Sequence, residues 1–129
     1  MLKIRGHHFL CIEGFRGYGY SSDFVKNMAD IISKLQKDPK VIPINFADDI
    51  CAFCPHLKNG MCCNEKGGEK EVFKMDSSFF KKTGIIPKQI YRYSDIKKRI
   101  YEVFKTRKKL FGICDGCSWK KICGWYISR

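Results

Sequence analysis

Long apolar runs are absent: no stretch of the 129 residues approaches the ~20 needed to cross a bilayer, which argues against a helical membrane protein. The N-terminus, Met1-Leu2-Lys3-Ile4-Arg5-Gly6-His7-His8, has no apolar core followed by a small-residue cleavage site. No secretory signal is read there, and the cytoplasm is the expected compartment. Negative charge is scarce. Thirteen Asp and Glu stand against twenty-five Lys and Arg, a net charge of +12, and residues 65–129 hold 17 basic and 7 acidic residues of these totals. No internal repeat and no linker divides the chain, so residues 1–129 are expected to form one domain.

Cysteine, by contrast, is abundant, with eight in the chain. In a reducing compartment, thiols clustered at C-x2-C spacing are better read as metal ligands than as disulfides. Three of them fall within ten residues, Cys114-x2-Cys117-x5-Cys123. Two cysteines separated by two residues can turn both sulfurs toward one centre, and Gly116 between them lets the backbone fold tightly. A fourth ligand must come from elsewhere. Cys51-x2-Cys54 with Cys62-Cys63 is one reservoir, and Cys11 with His7 and His8 is another. Adjacent cysteines point apart, so Cys62 is favoured as a ligand and Cys63 as a spectator. The candidate ligands are therefore Cys114, Cys117, Cys123, Cys51, Cys62, Cys54 and Cys11. His7, His8 and His56 are candidates for ligands or supporting donors.

Periodicity gives an α+β expectation, mostly helical with a few short strands and a cysteine-rich core stapled by metal. Leu2 to Arg5 reads as a strand and His7 to Gly14 as a brief helix, on which His8 and Cys11 share a face. Gly14 to Tyr20 is glycine-rich; turn chemistry explains it better than a phosphate-cradling loop. Ser21 or Ser22 caps a helix running to about Lys37, with Phe24, Met28, Ile31, Ile32 and Leu35 inward. Val41 to Phe46 suits a strand, and Pro43 argues for an edge. Residues 64–70 read as a surface loop and Glu71 to Met75 as a strand. Asp76 then caps a short helix stopped by Gly84, a better account of it than a lone catalytic acid. Gln89 to Tyr93 alternates like a strand. Ser94 caps the last long helix, with Ile96, Ile100, Val103 and Phe104 inward and Lys97, Lys98, Arg99, Lys105, Arg107, Lys108 and Lys109 on the other face.

Two metals compete for the thiols. Zinc ribbons place two C-x2-C pairs about 15–20 residues apart, whereas 59 residues separate Cys54 from Cys114. A three-plus-one arrangement suits an iron–sulfur cubane, which needs a thiolate at each iron corner. Iron–sulfur is the first choice and zinc the alternative. Either centre with four thiolates is anionic, so basic neighbours, with Arg5 and Arg16 as candidates, would stabilise it or hold an anionic ligand. Three function classes follow: a cluster protein for redox work, sensing or structure, with a redox partner; a zinc-stapled basic module binding nucleic acid or an acidic partner protein; or an enzyme using an open metal or a Cys11 nucleophile beside His7 or His8.

The segment Cys114-x2-Cys117-x5-Cys123-Gly124 resembles the C-x2-C-x5-C-G stretch of SPASM-type domains, which bind auxiliary [4Fe–4S] clusters in radical SAM maturation enzymes. Ile127 stands where the next cysteine of that pattern belongs. A longer resemblance runs through Arg5-Gly6-His7-His8-Phe9-Leu10-Cys11, Phe15-Arg16-Gly17-Tyr18-Gly19-Tyr20-Ser21, Asp48-Asp49-Ile50-Cys51-x2-Cys54-Pro55-His56 and Cys114-x2-Cys117-x-Trp119-x3-Cys123. In that order these motifs resemble a family of small bacterial and archaeal proteins of unknown function, associated with iron–sulfur binding. The resemblance implies a [4Fe–4S] cluster and gives Cys63 no role.

Overall fold

The computed structural model describes residues 1–64, 67–115, 117 and 119–129. Two expectations, the turn at Gly116 and part of the loop read over 64–70, touch positions outside the described residues. The chain runs β1 (Leu2–Arg5), α1 (His8–Gly14), α2 (Ser22–Leu35), β2 (Lys40–Ile44), a hairpin of β3 (Leu57–Lys58) and β4 (Met61–Cys62), α3 (Gly68–Thr83), β5 (Tyr91–Arg92), α4 (Tyr93–Val103) and α5 (Gly124–Ile127). The architecture is α+β, as the periodicity led one to expect. No helix among the described residues is long and apolar enough to cross a membrane.

The main sheet has the order β1-β2-β5. β1 and β2 are parallel, with Leu2 opposite Val41 and Arg5 opposite Ile44, while β5 adds antiparallel through Lys40 and Val41 alone. Pro43 therefore sits in the central strand, contrary to the edge expected for it. It is tolerated because β5 is too short to reach it, so the missing N–H breaks no ladder bond. The Pro43 carbonyl accepts instead from Lys88 N at 2.7 Å.

The core lies between the sheet and the helices. Val41, Met28, Ile31 and Leu35 fill one part of it. Phe9 from α1 stacks on Phe79 from α3, which stacks on Phe104, each pair of ring centres 5.9 Å apart. Such offset ring contacts contribute about 0.5–1.5 kcal/mol beyond burial. Ser21 caps α2, its hydroxyl accepting from Phe24 N at 3.1 Å.

Three local expectations are corrected. Residues 71–75 are the first turns of α3 and not a strand, and Asp76 lies inside that helix and not at its start. Val72, Asp76, Phe79, Phe80 and Thr83 are its buried face; the carboxylate in that stripe disguises the helical period. The last long helix starts from Arg92, with Ser94 N donating to Asp38 Oδ1 at 2.8 Å, and it ends at Val103. Lys105 to Lys109 thus follow the helix, the last three in a short 3-10 turn, Arg107–Leu110. Asn59 and Gly60, both at positive φ, make the two-residue turn of the β3–β4 hairpin.

Candidate metal centre

The site is assembled from the two ends of the chain. Helix α1 buries Phe9, Leu10 and Ile12, which leaves Cys11 on its remaining face. At its end, Gly14 meets the C-terminal segment so closely that a Cβ there would lie 2.1 Å from Cys123 Sγ and 3.0 Å from Trp125 N. Only glycine permits this approach. The opposite wall is pinned by Leu110 and Ile113, both buried. From there successive turns carry the thiols: Cys114 N donates to Leu110 O at 3.0 Å, Cys117 N to Cys114 O at 3.0 Å, and Cys123 N to Trp119 O at 2.8 Å.

Cys11, Cys114, Cys117 and Cys123 consequently line one cavity of about 550 Å³. Burial pushes the Cys11 thiol well up, and the charges of Cys117, Cys114 and Cys123 add to the effect. Burial also raises Cys114 to about 12, with Cys117 and Cys123 contributing. Groups that disfavour each other's ionisation across a desolvated space are the arrangement a cation relieves, because ligation needs thiolates. Trp119 N already points at Cys117 Sγ, 3.4 Å away. Lys82 acts to lower Cys114, and Lys120 acts to lower Cys117.

The other thiols form a second group next to the first. Cys51 opens a short 3-10 turn, Cys51–Phe53, and Cys62 lies in β4. With Cys54 they line a hollow of about 70 Å³. Burial raises Cys54, while the N–H groups of His56 and Leu57 act the other way on its sulfur. Tyr20 borders both spaces, its ring 4.7 Å from that of His56 and 5.1 Å from that of Trp119. Cys63 is exposed. All eight cysteines are free thiols.

Three carboxylates support the site, and the sequence reading assigned none of them this role. His7 Nδ1 lies 2.6 Å from Asp76 Oδ1, and His8 Nδ1 lies 2.8 Å from Asp48 Oδ2. Both imidazoles are thereby fixed in orientation. Desolvation first, then the nearby His8, hold His7 below its usual range, so it stays neutral and donates through Nδ1. Burial alone would raise Asp76, but the hydrogen bond and charge of His7 and the Arg5 guanidinium hold it low. Burial would likewise raise Asp48; His8 and the Arg5 and Cys51 contacts bring it down to about 2.

Arg5 and Arg16 end in different places. Arg5 is fully buried, its Nε on Asp76 Oδ2 at 2.8 Å and its two terminal nitrogens on Glu69 at 2.7 and 3.2 Å. It is a structural cation, with its charge already matched. Arg16 is exposed at the cavity rim, its Cδ 3.4 Å from where a Cβ on Gly124 would lie. The Asp48 role was legible as Asp48-x2-Cys51, since its side chain accepts from Cys51 N at 3.0 Å in a capping pattern. Asp76 and Glu69 left no such local mark.

Fold and site together define a small α+β protein with a cysteine-rich candidate metal centre, which includes one His–Asp–Cys group able to hold an ion. The model of the family described as "Protein of unknown function (DUF1284)" matches residues 19–123, and the chain belongs to that family. The match takes in seven of the eight cysteines and leaves Cys11, His7 and His8 outside it. No curated protein and no solved structure matches the chain.

Proposed function

We propose that the protein binds an iron–sulfur cluster of the [4Fe–4S] type through Cys11, Cys114, Cys117 and Cys123, for a redox, sensing or structural role. The observation that carries this reading is the meeting of Cys11 from the first helix with the three C-terminal thiols around one desolvated cavity.

Spacing argues for the cluster over zinc. A tetrahedral zinc with Zn–S bonds of about 2.3 Å draws its sulfurs to roughly 3.8 Å from one another. Among the described residues, the one group of three ligand atoms mutually within 4.8 Å is that of His8, Asp48 and Cys51, so no three of the four thiols stand so close. A cubane puts each thiolate on a different iron and asks for wider separation. The Trp119 N–H directed at Cys117 Sγ is the kind of contact that tunes a cluster's potential. Lys82, Lys120 and the rim Arg16 supply compensating positive charge. Four cysteines occupy every iron corner, which favours electron transfer or structure over substrate chemistry at iron.

Protein purified without oxygen should show broad visible absorption that bleaches with dithionite, accompanied by a low-temperature paramagnetic signal. A colourless, diamagnetic protein after anaerobic reconstitution with iron and sulfide would refute the reading.

A further inference from the structure

The smaller hollow of about 70 Å³ is lined by Arg5, His8, His56, Cys51, Cys54 and Cys62 among others. We propose that it is a second, mononuclear metal site, taking a borderline divalent transition ion such as zinc or iron(II), with His8, Asp48 and Cys51 as ligands.

One ligand atom from each of these three lies within 4.8 Å of the other two. His8 Nδ1 and Asp48 Oδ2 are 2.8 Å apart, a separation two donors adopt on one ion at ligand bonds of about 2.0–2.1 Å. The carboxylate has capacity to spare. It offers about four lone-pair positions, and backbone N–H groups take two: Arg5 N at 2.7 Å on Oδ2 and Cys51 N at 3.0 Å on Oδ1. Those same bonds hold Asp48 in place, its side chain wholly buried. The site is thus built before any ion arrives.

Size and donor type choose the occupant. A water needs roughly 10–15 Å³ of such space, so the hollow holds one ion with a water or two and is far smaller than the four-thiol cavity. One nitrogen, one carboxylate oxygen and one sulfur select a borderline ion and disfavour calcium or magnesium, which want oxygen alone. Three protein ligands leave an open position, the arrangement of reactive metal sites. It faces Cys54, whose sulfur is already met by the N–H groups of His56 and Leu57, donors suited to a thiolate.

Cobalt(II) titrated anaerobically into the purified full chain tests this, read as a difference spectrum against cobalt-free protein. The site predicts about one cobalt per chain with a near-ultraviolet thiolate-to-cobalt band. The band should vanish in Cys51→Ala, weaken at least tenfold in affinity in His8→Gln, and survive in Cys123→Ala. No band in the parent chain, or a band kept in Cys51→Ala or in full strength in His8→Gln, overturns the proposal. So does a band lost in Cys123→Ala alone, because the cobalt then sits among the four thiols. The outcome is independent of the cluster: a protein without iron that binds one cobalt sinks the cluster reading and keeps this one.

Discussion

Arg5, His7, Asp76 and Glu69 form the most demanding side-chain group in the molecule, because two of them are charged and almost out of water. Arg5 is 1 % and Asp76 0 % exposed. Removing one partner of such a pair leaves the other charge buried alone, which typically costs about 3–5 kcal/mol. Asp76→Ala should therefore lower stability by that order, read from the denaturant midpoint. Acid reaches the same group. His7 is held below its ordinary 6.5, Glu69 below 4.5 and Asp76 below 3.8. In each case the unfolded chain takes the proton first, so stability is full above the ordinary value and falls as pH drops. The melting temperature should begin to fall as pH passes below about 6.5 and fall further below about 4.5. Asp76→Asn should flatten the acid limb. At the cavity wall, Gly14→Ala would put a carbon 2.1 Å from Cys123 Sγ and against Trp125 N. A loss of about 2–3 kcal/mol and a fall in iron content are expected, the range typical of overpacking.

At the scale of elements, local signals were legible where the chain reports its own neighbours. Met28, Ile31 and Leu35 face the core of α2 as their spacing says, and Ser21 caps it. Ser21→Ala should cost about 1 kcal/mol, measured by the same denaturant midpoint. Helix α3 was illegible for a physical reason: Asp76 interrupts the apolar stripe because its partners, Arg5 and His7, are about seventy residues away. Strand β2 was half legible. Its β-branched run pointed to a strand, while Pro43 pointed to an edge, since nothing in the sequence said how short β5 would be. The three C-terminal thiols were legible as a unit from their spacing. Their fourth companion, Cys11, was one candidate among several, because the choice is made by the packing of α1 against α5.

Across the whole molecule, the C-terminal segment is held by few apolar anchors and several polar ties. Arg107 donates to Tyr126 O at 3.1 Å and Ile127 O at 3.3 Å, and Arg129 lies 3.7 Å over the Trp125 ring. Part of the basic surface is therefore internal support. Ligation would supply the rest; a structural metal contributes on the order of 10 kcal/mol, comparable to the stability of a small domain. Removing the cluster by oxidation should loosen residues 111–129 first. Limited trypsin digestion followed by mass spectrometry should then find early cleavage at Lys120 or Lys121, sites protected in the loaded protein. Equal protection in both forms would mean that packing alone holds the segment.

The joining of the two chain ends by a common inorganic core is tested most directly by counting iron and acid-labile sulfide in anaerobically prepared variants. The account predicts about four of each per chain in the parent protein and in Cys63→Ser, and loss of both in Cys11→Ser as in Cys117→Ser. Full iron and sulfide in Cys11→Ser, or none in the parent, would contradict it.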